Sequence, residues 1–310
     1  MGPIKKVVSA SLGSSKRDHQ VVVHVKDQEI EVSRQGTDGD LDALKALLSA
    51  LDADEEVAAI GLGGTDLFLN AAGKSYWLRE MKPLAKLVTH KALVDGTGLK
   101  GAVEGATVDF MRNEMGLDLT GQKVLVTSAV DRWGIAMAFA DAGAAVSYGD
   151  LLYVLGIPAL IHSRRLLKGA IRALAPLIIQ LPFAWLYPAE SDEDTASKRG
   201  KRTDRFYYDN SIIVGDYKYV VKYMPDDLKA TTVVTNTTTP ADLERLRACG
   251  VDLLVTTTPR LDGRSFGTNV MEALLVASVG ETKRLSPERY LELLNELNFT
   301  PDVTHLQDPA

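Results

Sequence analysis

Hydrophobic and polar positions change period along this chain, and the changes predict strands that alternate with helices. Short β-branched runs are typical of buried strands, whereas leucines at helical spacing over Leu41–Leu51, preceded by Asp40 as a suitable cap, predict a helix. In the first third of the chain the other predicted elements are strands at Lys6–Leu12, Gln20–Lys26, Glu29–Arg34, Val57–Leu62 and Lys91–Val94, and a helix over Gly101–Met115.

A second unit begins near residue 118, where the pattern is strand, turn, helix, strand. An apolar strand over Val124–Ser128 precedes a helix over Asp131–Ala142, and the next strand, Ala145–Tyr148, runs into Asp150. The distance of about 20 residues from the first strand to that acid is typical of a dinucleotide-binding βαβ unit. The later predicted strands are Ser211–Gly215, Thr231–Thr235 and Leu253–Thr257, and the later predicted helices start near Pro240, Asn269 and Pro287.

This organisation predicts an α/β protein with a Rossmann-like, mostly parallel sheet and a smaller mixed α/β N-terminal domain. We expect the N-terminal domain to cover residues 1–117 and the nucleotide-binding domain to cover residues 118–310. Within the second domain, prolines interrupt a predicted helical insertion at 157–188. A flexible loop is predicted at 189–204, where the sequence is poor in apolar residues and changes from acidic to basic.

The amino-acid composition is typical of a folded globular protein. Of the 310 residues, 45% are hydrophobic and 25% charged, which is typical of a folded chain with a core, and the net charge of −6 disfavours a nucleic-acid partner. The single cysteine, Cys249, excludes an intrachain disulfide, and we expect a cytoplasmic protein. The most apolar stretch, 169–187, contains Arg172 and two prolines, so we expect no spanning segment. This stretch predicts buried helices, or a surface that touches a membrane or faces a partner, including a second copy in a homo-oligomer.

Hydroxyl and acidic residues follow nearly every predicted strand of the second unit. Parallel strands bring their carboxyl ends to one edge, where open α/β sheets bind ligands. The first turn keeps only Gly134 of a G-x-G-x-x-G fingerprint, and Asp150 occupies the position of an acid that accepts from ribose hydroxyls. Singly, such residues are also typical caps and turns, so the prediction depends on the set. The residues predicted to bind NAD or NADP are Thr127, Ser128, Asp131, Arg132, Gly134, Asp150, Thr256, Thr257 and Thr258.

A loop containing glycine and arginine precedes the helix predicted near Asn269. A helix N-terminus presents backbone N–H groups to an anion, and the guanidinium of Arg264 suits a phosphate or carboxylate. The alternative is a structured loop in which Arg264 pairs with Asp262. The predicted anion-binding residues are Arg264, Ser265, Gly267, Thr268 and Asn269.

Two glycine clusters of the N-terminal unit, at 61–66 and 95–100, place acids and a lysine in turns. A lysine beside an aspartate can relay a proton to a substrate hydroxyl, so we expect Lys100, Asp95 and Asp66 to be catalytic. The alternative is a set of turns with exposed charges. The five histidines lack metal-ligand spacing, and we expect no metal site.

Four strings, VVSASLGSSKR, VTSAVDRWG, GDLLYVLGIP and TTTPRLDGRSFGTNVMEALLVA, together resemble a bacterial family commonly labelled quinate 5-dehydrogenase, and the resemblance covers nearly the whole chain. It implies NAD(P)-linked oxidation of a ring hydroxyl in quinate or shikimate-like acids, hence a small anionic substrate, with an N-terminal substrate domain and a C-terminal nucleotide domain. Better-known shikimate and quinate dehydrogenases carry an Asn-Lys-Thr step, an Asn-Asp step and a G-x-G-G-x loop. This chain has none of them, so no catalytic residue carries over. The alternative is a non-redox nucleotide- or anion-binding protein with a sensor or assembly role.

Overall fold

The computed structural model describes residues 5–25, 27–180, 201–258, 260–261, 264–298 and 300–307. The strands of these residues are β1 (Lys5–Ser11), β2 (His19–Val25), β3 (Gln28–Gly36), β4 (Val57–Gly63), β5 (Phe68–Ala71), β6 (Lys74–Trp77), β7 (Ala92–Val94), β8 (Lys123–Val126), β9 (Ala145–Tyr148), β10 (Ile212–Val214), β11 (Thr232–Thr235), β12 (Leu253–Thr256), β13 (Arg260–Leu261), β14 (Arg264–Ser265) and β15 (Asp302–His305).

The helices alternate with these strands, as the hydrophobic periodicity predicts. They are α1 (Leu41–Ala53), α2 (Lys82–Ala85), α3 (Thr97–Asn113), α4 (Trp133–Asp141), α5 (Asp150–Tyr153), α6 (Arg164–Ile178), α7 (Lys201–Tyr208), α8 (Tyr217–Lys222), α9 (Pro240–Ala248), α10 (Thr268–Ser278) and α11 (Pro287–Glu296). No helix in the described ranges is long and apolar enough to cross a membrane.

The first sheet has the strand order β2-β3-β1-β4-β7, and only β2 runs antiparallel to its neighbour. On one face, Leu44 and Leu48 of α1 pack with Ile60 in a buried cluster. Asp40 caps α1 by accepting from the N–H groups of Asp42 and Ala43, which confirms its predicted role.

The second sheet has the order β15-β12-β11-β10-β8-β9, and only β15 is antiparallel to its neighbour. The chain passes from β8 to β9 on one side and returns on the other side at β10, so the order of the strands reverses between β8 and β10. This is the switch point of the sheet, where open α/β sheets bind ligands. The mostly parallel, Rossmann-like α/β class is therefore confirmed.

The C-terminal helices pack on the N-terminal sheet. Although α10 follows the last parallel strand of the second sheet, its residues Val270 and Met271 share a buried cluster with Val7 and Ile30. Helix α3, which joins the two units, contacts α10, α11 and also α4. Residues beyond 258 therefore supply one face of the first unit's core, a connection that the predicted division at residue 117 does not include.

Several predicted boundaries differ from the structure. Helix α3 begins at Thr97 instead of Gly101, because Gly96 adopts φ 90° and the Asp95 carboxylate accepts the N–H of Thr97. Within the predicted insertion at 157–188, the helix starts only at Arg164, and residues 181–188 lie outside the described ranges. The predicted loop at 189–204 also lies outside them up to residue 200, and α7 begins at Lys201 where a loop was expected. The hairpin β5–β6 and the strand β15 escaped prediction because polar residues interrupt them, so they lack the apolar runs that mark the other short strands.

Candidate functional site

The carboxyl ends of β8 and β10 enclose the switch point of the second sheet. Thr127 follows β8, and its Oγ1 lies so close to Gly215, after β10, that an added β-carbon there would be 1.9 Å from this oxygen. The Thr127 hydroxyl is buried and has no hydrogen-bond partner among the described residues, and the same is true of Thr258 after β12. An unsatisfied buried hydroxyl is costly without a ligand or water, so the edge carries unused hydrogen-bonding capacity.

Arg132 links the two sides of the switch point. Its Nε lies 3.2 Å from Asp131 Oδ2, its Nη2 donates to Asp216 Oδ2 at 3.1 Å, and its Nη1 lies 3.5 Å from Glu104 Oε1. Burial alone would lower the pKa of Arg132, but these three carboxylates raise it well above its ordinary value. The guanidinium is therefore charged and held from three directions.

Lys100 reaches the same turn from α3. Its Nζ donates to Asp131 Oδ1 at 2.6 Å. Burial and Arg132 lower the pKa of Lys100, but Asp131, Asp66 and Glu104 outweigh them and raise it. Burial would raise the pKa of Asp131, but Lys100 and Arg132 hold it at about 2. The pair is therefore ionised at neutral pH, and Asp66, another predicted catalytic residue, lies within electrostatic range of it.

The exposed side of the network carries Asp131, Asp216 and Asn236. Asn236 Nδ2 donates to Asp216 Oδ2 at 2.8 Å, and Asp216 Oδ1 accepts the N–H of Lys218 at the start of α8. The side chains of Asp131 and Asp216 are 29% and 25% exposed, so solvent reaches both carboxylates. Burial, with smaller contributions from nearby aspartates, raises the pKa of the adjacent Tyr219 to about 12, which keeps its hydroxyl protonated.

The predicted catalytic residues fall into two different clusters. Asp95 does not join Lys100: it is buried, accepts the N–H and the hydroxyl of Thr97, and pairs with Arg284. The Arg284 Nε also donates to Glu272 at 3.0 Å. Asp95 thus fixes the turn between β7 and α3, and the acid that contacts Lys100 is Asp131.

Sequence reasoning missed Glu104 as a site residue and did not select Asp216 or Asn236 for the site. Glu104 lies four residues after Lys100 in α3, so both project from one face of the helix. That spacing was visible in the sequence, but nothing local shows that this face is buried against α4.

The remaining predicted cofactor residues lie along the same edge. Ser128, Thr256 and Thr257 are buried. The N–H of Thr257 donates to the carbonyl oxygen of Thr235 at 2.8 Å, which extends the pairing of β11 and β12 by one residue. This contact binds Thr257 to the sheet itself, and cofactor binding by these residues stays a prediction.

Asp150 turns back onto the loop after β8. Its Oδ1 accepts the N–H of Val130 at 2.9 Å, and its Oδ2 accepts the N–H of Ala129 at 3.1 Å. Burial raises the pKa of Asp150 to about 6, although both hydrogen bonds oppose this shift. Its predicted contact with a ribose stays a prediction, because the structure shows these oxygens bound to the turn.

The side chain of Glu104 extends from α3 to the N-terminus of α4. Its Oε2 accepts the N–H of Ile135, in the first turn, at 3.0 Å. A β-carbon on Gly134 would lie 2.6 Å from this oxygen, so the surviving glycine of the fingerprint makes room for Glu104. Burial raises the pKa of Glu104, opposed by Arg132 and Lys100. Because carboxylates already bind N–H groups of this turn, the residues present do not fit a dinucleotide pyrophosphate there.

The predicted anion loop meets the first sheet at the start of α10. Asn269 Nδ2 donates to Ser9 Oγ at 2.8 Å, and its carbonyl oxygen would be 2.9 Å from a β-carbon on Gly61. The backbone of Thr268 packs equally closely on Gly96. The helix N-terminus is therefore pressed against Gly61 in β4 and Gly96 after β7.

The other predicted anion-binding residues of this loop precede α10. Gly267 is the exposed residue before α10 and has an extended backbone. Arg264 and Ser265 form β14, but their side chains lie outside the described part of the structure. Anion binding by this loop stays a prediction. In the described ranges, no group of three or more His, Cys, Asp or Glu residues could hold a metal ion.

Comparison with family models gives two matches. A model described as a domain of unknown function (DUF8754) matches residues 98–306, and a model of another domain of unknown function (DUF8753) matches residues 6–95. No curated protein sequence matches the chain.

Similar solved structures include dehydrogenases and a sugar-binding protein. Hetero-hexameric glutamate dehydrogenase from Thermus thermophilus is 14% identical with a TM-score of 0.47, covering 96% of this chain and 74% of the other. L-tryptophan dehydrogenase from Nostoc punctiforme is 9% identical with a TM-score of 0.41, covering 96% and 79%. A glucose-galactose binding protein from Geobacillus stearothermophilus is 9% identical with a TM-score of 0.38, covering 99% of each chain.

Proposed function

This chain belongs to the DUF8754 family, and we propose that it binds a small polyhydroxylated carboxylic acid, of the quinate or shikimate class, at the switch point of its second sheet. The observation that carries this proposal is the buried Thr127 hydroxyl, which has no partner among the described residues and lies against Gly215, next to the Asp216 that pairs with Arg132. A hydroxyl without a partner next to partly exposed charged groups is what a site for a polar ligand presents.

The mixture of groups suits ligand hydroxyls better than a simple anion. Each hydroxyl both donates and accepts, so it can donate to the carboxylates of Asp131 or Asp216 and accept from Asn236 or Lys100. Simple anions would meet those carboxylates as like charges. An acid that also carries several hydroxyls gains hydrogen bonds from both kinds of group.

Oxidation of a ring hydroxyl of that acid is the second candidate function, and the contact between Lys100 and Asp131 favours it. Asp131 at the exposed rim can orient the reacting hydroxyl by accepting its hydrogen bond, and the adjacent ammonium of Lys100 can stabilise negative charge that develops on its oxygen. The resemblance to quinate dehydrogenases implies NAD or NADP for this reaction. The hydride of this oxidation needs such an acceptor, and carboxylates fill the turn that would hold its pyrophosphate, so the reaction would require a cofactor bound away from this turn.

Isothermal titration with quinate and shikimate tests the proposal. Two controls separate the chemistry: cyclohexanecarboxylate carries the charge without the hydroxyls, and inositol carries hydroxyls without the charge. We expect the hydroxylated acids to bind at least tenfold more tightly than either control, since two or more hydrogen bonds are at stake. Equal binding of quinate and cyclohexanecarboxylate, or no binding of any hydroxylated acid, would contradict the proposal.

Variants then locate the binding. Thr127→Val and Asp216→Asn are expected to weaken quinate binding by about tenfold each, the usual effect of losing one good hydrogen bond. Asp209→Asn, on the exposed surface at the opposite edge of the sheet, is the matched control and should leave affinity unchanged. Absorbance at the reduced-nicotinamide band, with quinate and NAD or NADP, tests the second candidate: turnover supports oxidation, and its absence with intact quinate binding supports a binding role.

A further inference from the structure

We propose that Glu104 and Asp150 are internal anions that replace the pyrophosphate of a dinucleotide, so that this Rossmann-like sheet holds its ligand without NAD or NADP. This inference depends on the proposed function only for the location of the ligand at the same sheet edge. Its own support is a separate set of contacts, those that the two carboxylates make with the turn after β8.

Glu104 comes from outside the βαβ unit and binds where a phosphate would. Its side chain is 2% exposed and projects from α3 to the first turn of α4, where Oε2 accepts the Ile135 N–H. The positive end of the helix dipole favours a negative group at this place. Since Arg132 Nη1 lies 3.5 Å from the other oxygen, the carboxylate is held by the helix and by a cation together.

Asp150 closes the other half of the turn. It is 7% exposed and binds the N–H groups of both Ala129 and Val130. With the Ile135 N–H bound to Glu104, the carboxylates hold three backbone donors around the turn. A pyrophosphate could bind these N–H groups only by displacing the two carboxylates that already accept from them.

The acidic side chains around the turn also disfavour binding of a pyrophosphate, both by their charge and by the space that they fill. When the fingerprint is aligned on Gly134, its second glycine, which lets a pyrophosphate approach the backbone, corresponds to Asp131. A phosphate there would meet the carboxylates of Asp131, Glu104 and Asp150, while Arg132 and Lys100 already pair with acids. Like charges in a buried site repel strongly because solvent does not screen them.

The test titrates inorganic pyrophosphate, NAD and NADP into the full chain and follows thermal stability and heat of binding. We expect no binding to the wild type at about millimolar concentrations. Glu104→Ala frees the helix N-terminus and removes a charge, so pyrophosphate affinity should rise at least tenfold. Glu104→Gln has the same shape, keeps an acceptor for Ile135 and is the variant most certain to fold; it should give a smaller rise from the charge alone.

Two results would overturn the inference: submillimolar binding of NAD or NADP by the wild type, or correctly folded Glu104 variants that gain no pyrophosphate affinity. The outcomes also separate this inference from the proposed function. Wild-type binding of both quinate and NAD(P) overturns the inference alone. Loss of quinate binding in every assay, with pyrophosphate bound only by the Glu104 variants, overturns the proposed function alone.

Discussion

Glu104 and Gly134 meet across the contact between α3 and α4, where a β-carbon on Gly134 would lie 2.6 Å from Glu104 Oε2. No real β-carbon tolerates such a distance, so the glycine and the glutamate depend on one another. Helix α3 also packs against α10 and α11, which lie on the first sheet. The contact between Glu104 and Gly134 therefore connects this first unit to the turn after β8 in the second sheet.

Gly134→Ala should destabilise the protein by about 1–3 kcal/mol in urea unfolding, since the methyl group must push Glu104 away from its donors. The controls are Gly101→Ala and Gly105→Ala in α3, where an added β-carbon would meet nothing within 4 Å. Those variants should stabilise by about 0.5–1 kcal/mol through helix propensity. In a protein that already carries Glu104→Ala, Gly134→Ala should lower the free energy of unfolding by less than it does in the wild type. Additive costs would show that the two residues do not constrain each other.

Thr127→Val should raise stability in the absence of ligand by about 1 kcal/mol, because a methyl group replaces a buried hydroxyl that has no partner among the described residues. Thr235→Val is the matched control, on β11, which β10 separates from β8. Its Oγ1 donates to Asn236 Oδ1 at 3.1 Å, so the substitution should cost about 1 kcal/mol. Thermal unfolding of both variants measures the contrast, and equal effects would mean that the Thr127 hydroxyl is satisfied in solution.

Arg132→Met should destabilise the protein by about 3–5 kcal/mol, because it leaves buried Glu104 and partly buried Asp131 and Asp216 without their shared cation. Arg132→Lys keeps the charge but cannot reach all three acids, so its cost should be intermediate. Chemical denaturation at neutral pH measures both. A loss below about 1 kcal/mol for Arg132→Met would indicate that the network contributes little.

The stability contributed by Asp150 should fall as pH rises. Its pKa of about 6 in the folded protein exceeds the ordinary value of 3.8, so between these values the folded state binds more protons than the unfolded state. Wild-type stability should therefore decrease relative to Asp150→Asn by about 2 kcal/mol from pH 4 to pH 6, out of about 3 kcal/mol over the whole titration. Urea unfolding at pH 4, 5, 6 and 7 measures the difference, and a constant difference would contradict the assignment.

Asp52 should show the opposite pH dependence. Burial would raise its pKa, but hydrogen bonds from the backbone N–H groups of Thr89 and His90, and from their side chains, hold it well below its ordinary value. Its contribution is therefore present above about pH 4 and is lost as pH falls through the folded-state pKa. Asp52→Asn should destabilise at neutral pH and approach the wild type in acid. A variant with wild-type stability at pH 7 would rule out this role.

A fragment of residues 1–117 should not fold alone, because α10 covers one face of the first sheet. Removing α10 exposes apolar residues such as Val7, Ile30 and Ala59. Circular dichroism and size-exclusion chromatography should show an aggregated or unfolded fragment, whereas the full chain unfolds cooperatively. Cooperative unfolding of the isolated fragment would contradict this arrangement.

Features that depend on neighbouring residues were predictable from the sequence. The five parallel strands of the second sheet follow from short apolar runs, the start of α1 from Asp40, and the βαβ order from the spacing between β8 and Asp150. The turn residues after each strand also lie at the predicted edge. Each of these features reflects hydrophobic periodicity, capping or parallel-strand geometry, which act over short stretches of chain.

The site network was decided by tertiary packing. Lys100 meets Asp131 across 31 positions, and Arg132 meets Asp216 across 84. Sequence proximity predicts that Lys100 pairs with Asp95, but Asp95 pairs instead with Arg284, which lies 189 positions away in the chain. Charge pairing depends on which helix faces are buried together and is not periodic along the chain. The sequence alone therefore determined the α/β class and the edge where polar residues collect. Only the packing of α3 against α4 decided that Glu104 fills the place of a phosphate.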